Sequence, residues 1–254
     1  MRALTLGWAA LLAALMLTAG DAAAESTATI CIPDKAGKPV IAGEAGTCKD
    51  TKTLTYVALE LPGAGGLETL NKILPHMSYS ESGVGGKPTI GLTGVNLQVV
   101  SGSGTTAGAV NGAGNIIIGY DENSGKHAQT GSHDLILGEQ QTFTSFGGVL
   151  AGDANTISGP FSSVTGGFEN VASGEAAWAG GGQRNLANGF DSSVSGGQLN
   201  EAGFVASVSG GAQNRASRGS SWVGGGKENN ANAQYASIFG GKALKAEKEY
   251  EAIP

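Results

Sequence analysis

A glycine recurs every 14 or 15 residues along the second half of this chain, preceded by another glycine in all but the first copy. It falls at Gly152, Gly167, Gly182, Gly197, Gly211, Gly226 and Gly241. The surrounding phrase repeats with it. Ser162-Ser163-Val164-Thr165-Gly166-Gly167 is echoed by Ser192-Ser193-Val194-Ser195-Gly196-Gly197, by Ala206-Ser207-Val208-Ser209-Gly210-Gly211 and by Ser221-Trp222-Val223-Gly224-Gly225-Gly226. Three residues after most of these glycines stands an asparagine: Asn155, Asn170, Asn185, Asn200, Asn214 and Asn229. Two residues further on, alanine recurs at Ala172, Ala187, Ala202, Ala216 and Ala231. Looser copies precede these, at Leu135-Ile136-Leu137-Gly138, Ile116-Ile117-Ile118-Gly119 and Val99-Val100-Ser101-Gly102.

A period this short is too small for a helical hairpin or a propeller blade. It fits one coil of a parallel β-solenoid, with two strands of about five residues and two tight turns, each coil ~4.8 Å above the last. Ten coils would make a rod of ~45 Å. Glycine would serve the turns and let backbones approach closely, while alanine and valine fill a thin interior. The asparagines, expected at one corner, can adopt the left-handed conformation, bond the backbone locally and stack into a ladder. Such an interior buries little apolar area to offset the entropy of ordering the backbone, so association of several rolls along an apolar face is expected.

Composition agrees. Glycine makes up 44 of 254 residues, more than twice its usual share of ~7%. Seven prolines and no strict three-residue period exclude collagen. A net charge of −6 gives no footprint for nucleic acid. Low charge with 40% apolar residues also argues against disorder.

Residues 1–24 read as a secretory signal peptide: Arg2, an apolar run from Ala3 to Leu17, and the small residues Ala22-Ala23-Ala24 before Glu25. The alternative is an uncleaved anchor, but the run is shorter than the ~20 residues that span a bilayer. No later stretch is apolar enough for a membrane segment. Residues 25–62 form a small module holding both cysteines, Cys31 and Cys48. In an oxidising compartment this even pair is expected as a disulfide, with free thiols or a metal as the other readings. Residues 63–94 hold a short helix and a linker. Leu67, Leu70, Leu74 and Met77 are spaced for one apolar stripe, Glu68 suits the first turn, and Pro75 should end the helix near Leu74. This helix reads as a cap on something apolar or as a short neck between chains. The roll should occupy residues 95–243 and a tail 244–254.

The repeats S-S-V-S-G-G-x-x-N-x-A resemble the heads of trimeric autotransporter adhesins, and segments 110–120 and 130–135 are similar to those of secreted bacterial proteins carrying such heads. The resemblance covers roughly 95–243. It implies an all-β, left-handed parallel β-roll, assembly as a homotrimer, and an adhesive role towards a host or matrix surface or a glycan. The family's usual Ile/Gly phrase is replaced here by Val-Ser-Gly-Gly in the later copies. No heptad stalk and no β-barrel anchor strands follow, so self-anchoring in an outer membrane is not expected.

Candidate chemistry is sparse. Asp121, Glu122, Asn123, His127, His133, Asp134 and Glu139 gather in and near the longest coil. A polysaccharide-acting β-helix enzyme would need such carboxylates, but Asp-Glu-Asn-Ser-Gly is also ordinary turn chemistry. No catalytic, cofactor or metal residue is assigned. Trp178 and Trp222 share one repeat position, with Ala179 and Val223 beside them expected inside, so the indoles should face out. Phe161 and Tyr235 share another position. These aromatics are expected either in a subunit interface or as a ligand face for sugars.

Overall fold

A computed structural model describes Thr69, residues 71–254 and the backbone of three earlier strands, in two compact units divided between Asn96 and Leu97. In the first unit, strand Thr27–Pro33 is central in an antiparallel sheet, flanked by Ile41–Gly43 and Leu54–Glu60. Cys31 lies opposite Ile41 and Tyr56. Cys48 lies outside the described residues, and the expected disulfide with it. So do the expected signal peptide and both Leu67 and Leu70. Residues 71–73 are helical, and Leu74–His76 add a single 3-10 turn around Pro75. Met77 does not extend the stripe. It opens a strand, Met77–Ser80, that pairs antiparallel with Thr89–Leu92.

The second unit is a parallel β-solenoid. Two sheets run along it. The long sheet has ten strands, from Ile116–Ile118 to Ala252–Ile253, and the short sheet eight, from Thr142–Phe143 to Lys245–Ala246. Ladder partners are one repeat apart, as in Ser163↔Trp178, Val194↔Val208 and Ala187↔Ala202. The first copy expected, at 99–102, forms no strand. At the other end the ladders run through 245–253, beyond the expected boundary at 243.

The coil is more angular than two long strands and two turns. Most strands are two residues long, and a third side carries single bridges, as in Gln183↔Gln198 and Ala212↔Lys227. Three corners per coil take positive φ. One is the phased glycine. The second is the residue just before each asparagine, such as Arg184 at 55°, and the third the residue that leads into the long sheet, such as Asp191 at 50°. The asparagines themselves are not left-handed, contrary to the expectation from sequence. Their side chains are committed elsewhere.

Those side chains build a buried ladder. Asn185 shows the pattern: its amide N–H donates to Oδ1 of Asn170, and its Nδ2 donates to the carbonyls of Gly181 and Gly197. Its own Oδ1 accepts from the amide of Asn200. The same bonds repeat from Asn155 to Asn229 with backbone donors 2.7–3.0 Å from the Oδ1. Gln141 starts the series and the amide of Leu244 ends it. A polar column can run through an interior only when fully paired, and this one is.

The apolar interior is thin, as expected. The long sheet contributes Ile136, Leu150, Val164, Ala179, Val194, Val208, Val223 and Ile238. The short sheet adds Phe143, Ile157 and then alanine in every coil from Ala172 to Ala246. Where the first two coils have two large residues, most later ones pair valine with alanine, one has Ala179 with Ala187, and the last has Ile238 with Ala246.

The outer face of the long sheet as a candidate binding surface

Side chains alternate across a strand, so every inward residue of the long sheet is flanked by two outward ones. In the first three strands these are Ile116 and Ile118, Leu135 and Leu137, Val149 and Ala151, with Ile117, Ile136 and Leu150 between them. Only Ile136 and Leu150 are buried. In the terminal strand all three residues are open, Ile116 at 40%, Ile117 at 46% and Ile118 at 57% exposure. These strands are therefore apolar on both faces.

Beyond Ala151 the same two outward columns change character. They hold Ser163 and Thr165, Trp178 and Gly180, Ser193 and Ser195, Ser207 and Ser209, Trp222 and Gly224, Ser237 and Phe239. None carries charge. Both tryptophans stand on this face, as expected, with Ala179 and Val223 fully buried beside them. Trp178 is 38% exposed and Trp222 half-buried. Three ladder steps separate them, or ~14 Å.

The glycines at 180 and 224 explain how the indoles lie. A Cβ on Gly180 would stand 2.4 Å from the carbonyl oxygen of Ser195 and 2.9 Å from Cζ2 of Trp178, and one on Gly224 2.5 Å from the carbonyl oxygen of Phe239 and 2.9 Å from Cη2 of Trp222. Each ring folds along its own strand into the space of the next outward side chain. The Trp222 Nε1–H donates to Oγ of Ser209 at 3.0 Å, and Phe239 meets the ring edge-on at 5.2 Å. The signal was present in the sequence as Trp-x-Gly in the two tryptophan coils, against Thr165, Ser195, Ser209 and Phe239 elsewhere, but it is hidden inside a glycine-rich repeat.

Phe161 and Tyr235 are not on this face but on the corner leading into it, each at positive φ. The structure adds partners that the sequence reading did not single out. Phe161 meets Phe146 edge to face at 5.1 Å, Tyr235 stacks on Tyr250 at 4.8 Å and 10°, and Phe190 stacks on Phe204 at 5.9 Å. Some of the aromatic residues share a longer spacing. Phe204 lies one coil after Phe190, and Phe161, Tyr235 and Tyr250 share the corner position, but Phe146 and Phe190, like Trp178 and Trp222, stand 44 residues apart. That is three coils.

The acidic loop is a self-contained turn. Oδ1 of Asp121 accepts from Gln129, Asn123 accepts from the amides of Gly125 and His127, and His127 bonds Thr142. His133 lies apart from it, accepting the amide of Ser101 on Nε2 and meeting the carbonyl of Thr106 with Nδ1. Asp134 is buried. Its Oδ1 accepts the amide of Gly148 at 2.8 Å, while Oδ2 has no partner. Burial pushes its carboxyl up to about 6, opposed by the Gly148 bond and by His133. Among the described residues no group of three or more His, Cys, Asp or Glu is placed to hold a metal, and no helix is long and apolar enough to cross a membrane.

No protein-family model, curated protein or solved structure matches this chain.

Proposed function

We propose that the chain is a secreted, non-enzymatic β-roll that works outside the cell as a structural or adhesive module, assembled as a homotrimer. The observation that carries this reading is the double-sided apolar stretch of the long sheet. Strands apolar on both faces belong to sheets covered on both faces, and a contiguous outward apolar patch, exposed at Ile116 and Ile118 and half-buried at Leu135, Leu137 and Val149, suits a surface that a partner covers. The thin interior gives the roll a reason to be covered. The resemblance of its repeats to autotransporter heads supports three as the number of copies. Secretion rests on the leader-like residues 1–24.

The test is the mass of the mature protein in solution by light scattering. Three chains are expected, and Leu137→Asp, which puts a charge into the patch, is expected to give single chains. A monomeric parent protein would overturn the assembly. A degenerate polysaccharide-acting enzyme is the competing class. Cleavage of a uronate polymer that Asp121→Ala abolishes would establish it instead.

A further inference from the structure

We propose that the distal part of the long-sheet face, from Trp178 to Phe239, binds a linear, uncharged polysaccharide, with the indoles of Trp178 and Trp222 as stacking platforms. This concerns a different stretch of the face from the one that carries the assembly.

The columns switch from aliphatic to hydroxyl side chains after Ala151. An interface dry along its whole length has no use for that switch, because each serine brings a hydroxyl that needs a partner. Serine rows left facing water between aromatic rings suit a ligand whose surface alternates apolar C–H faces with hydroxyls. Sugars have that surface.

Each indole is laid along the strand by a glycine two residues on, although glycine weakens a strand. The gain is not a buried core, since Trp178 remains 38% exposed. The corner aromatics behave differently. Phe190 with Phe204 and Tyr235 with Tyr250 spend ring faces on each other, so the platforms are assigned to the tryptophans.

Charge selects the ligand class. The twelve outward positions from Ser163 to Phe239 are neutral, and the charges on the corner leading into them, Glu175, Asp191 and Arg218, are of mixed sign. A polyanion would meet no cationic row on a chain of net charge −6. The fixed separation of ~14 Å between the indoles favours an extended polymer over a single sugar. Between them lie Ser193, Ser195, Ser207 and Ser209.

The test is retention of the mature protein on insoluble cellulose, chitin and xylan, with polygalacturonate as the charged control. At least one neutral polymer should retain it, and the charged control should not. Trp178→Ser and Trp222→Ser introduce the residue that other coils hold at this position, as at Ser163 and Ser193, so the coil should fold. Each should weaken retention about tenfold, with the solution mass and melting temperature unchanged. No retention by any neutral polymer overturns the proposal. So do serine variants that bind undiminished, or that lose the oligomer, the last result meaning that a second copy of the chain covers the indoles. Because mass is read separately, a protein found monomeric but retained on a neutral polymer would refute the assembly and keep this site.

Discussion

Asn185 illustrates how much of the roll rests on single side chains repeated in register. Its fully buried carboxamide makes three hydrogen bonds, one within its own coil and two to the next. Each such bond contributes ~1 kcal/mol net, and orphaning a buried partner costs ~1–3 kcal/mol. Asn185→Ala is therefore expected to lower unfolding stability by about 3 kcal/mol, measured by denaturant titration. Two adjacent glycines make a sharper contrast. Gly197 has φ of 85°, and a Cβ there would stand 2.1 Å from the carbonyl oxygen of Gly211, whereas a Cβ on Gly196 meets nothing within 4 Å. Gly197→Ala should cost about 3 kcal/mol or prevent folding. Gly196→Ala should leave stability within about 1 kcal/mol of the parent. Glycine at a repeated position was easy to see in the sequence, but which glycine of a pair is obligatory depends on the coil above it.

Among the elements, the first coils differ from the rest, and Asp134 marks the difference. It occupies the inner corner position that Ser162, Ala177, Ser192 and Ala206 fill later. With its carboxyl raised to about 6, against ~3.9 in an unfolded chain, folding takes up a proton between those values. The contribution of this group is present at low pH and lost as pH rises through 6. Melting temperature should therefore rise between pH 7.5 and 5, and Asp134→Asn should flatten that gain. The parallel ladders were legible in the sequence because a period of 14 or 15 residues leaves no other regular structure. The brevity of the strands was not, since two-residue rungs leave no alternating run to read. Nor was the left-handed residue before each asparagine, because positions such as Ala154, Glu169, Arg184 and Leu199 share no residue type.

At the scale of the molecule, the roll has few electrostatic supports. Among the described residues its ion pairs are Arg184 with Glu169, Arg215 with Glu201 and Lys227 with Glu228, all substantially exposed, and such pairs contribute ~0–1 kcal/mol each. Stability comes instead from backbone ladders, the amide column and a narrow apolar core. In the proposed assembly the apolar start of the long-sheet face adds association, and a mass of three chains by light scattering is the expectation that belongs to this scale. The thin interior behind that expectation was readable from the scarcity of large inward residues. The outward apolar face was not, because Ile116-Ile117-Ile118 reads as a core strand, whereas all three side chains are 40–57% exposed and two of them fall in the outward columns.

The three-coil spacing of the two tryptophans bears on how such a rod changes length. A single coil is interchangeable for the hydrogen-bond ladders, which see only one neighbour above and one below. It is not interchangeable for the indoles. Adding 15 residues between Trp178 and Trp222 would leave every rung paired yet spread the rings to four steps. Adding a block of 44 or 45 would lengthen the rod and set a further indole at the spacing already used. The unit that folds and the unit that can be copied without disturbing the surface therefore differ threefold in length.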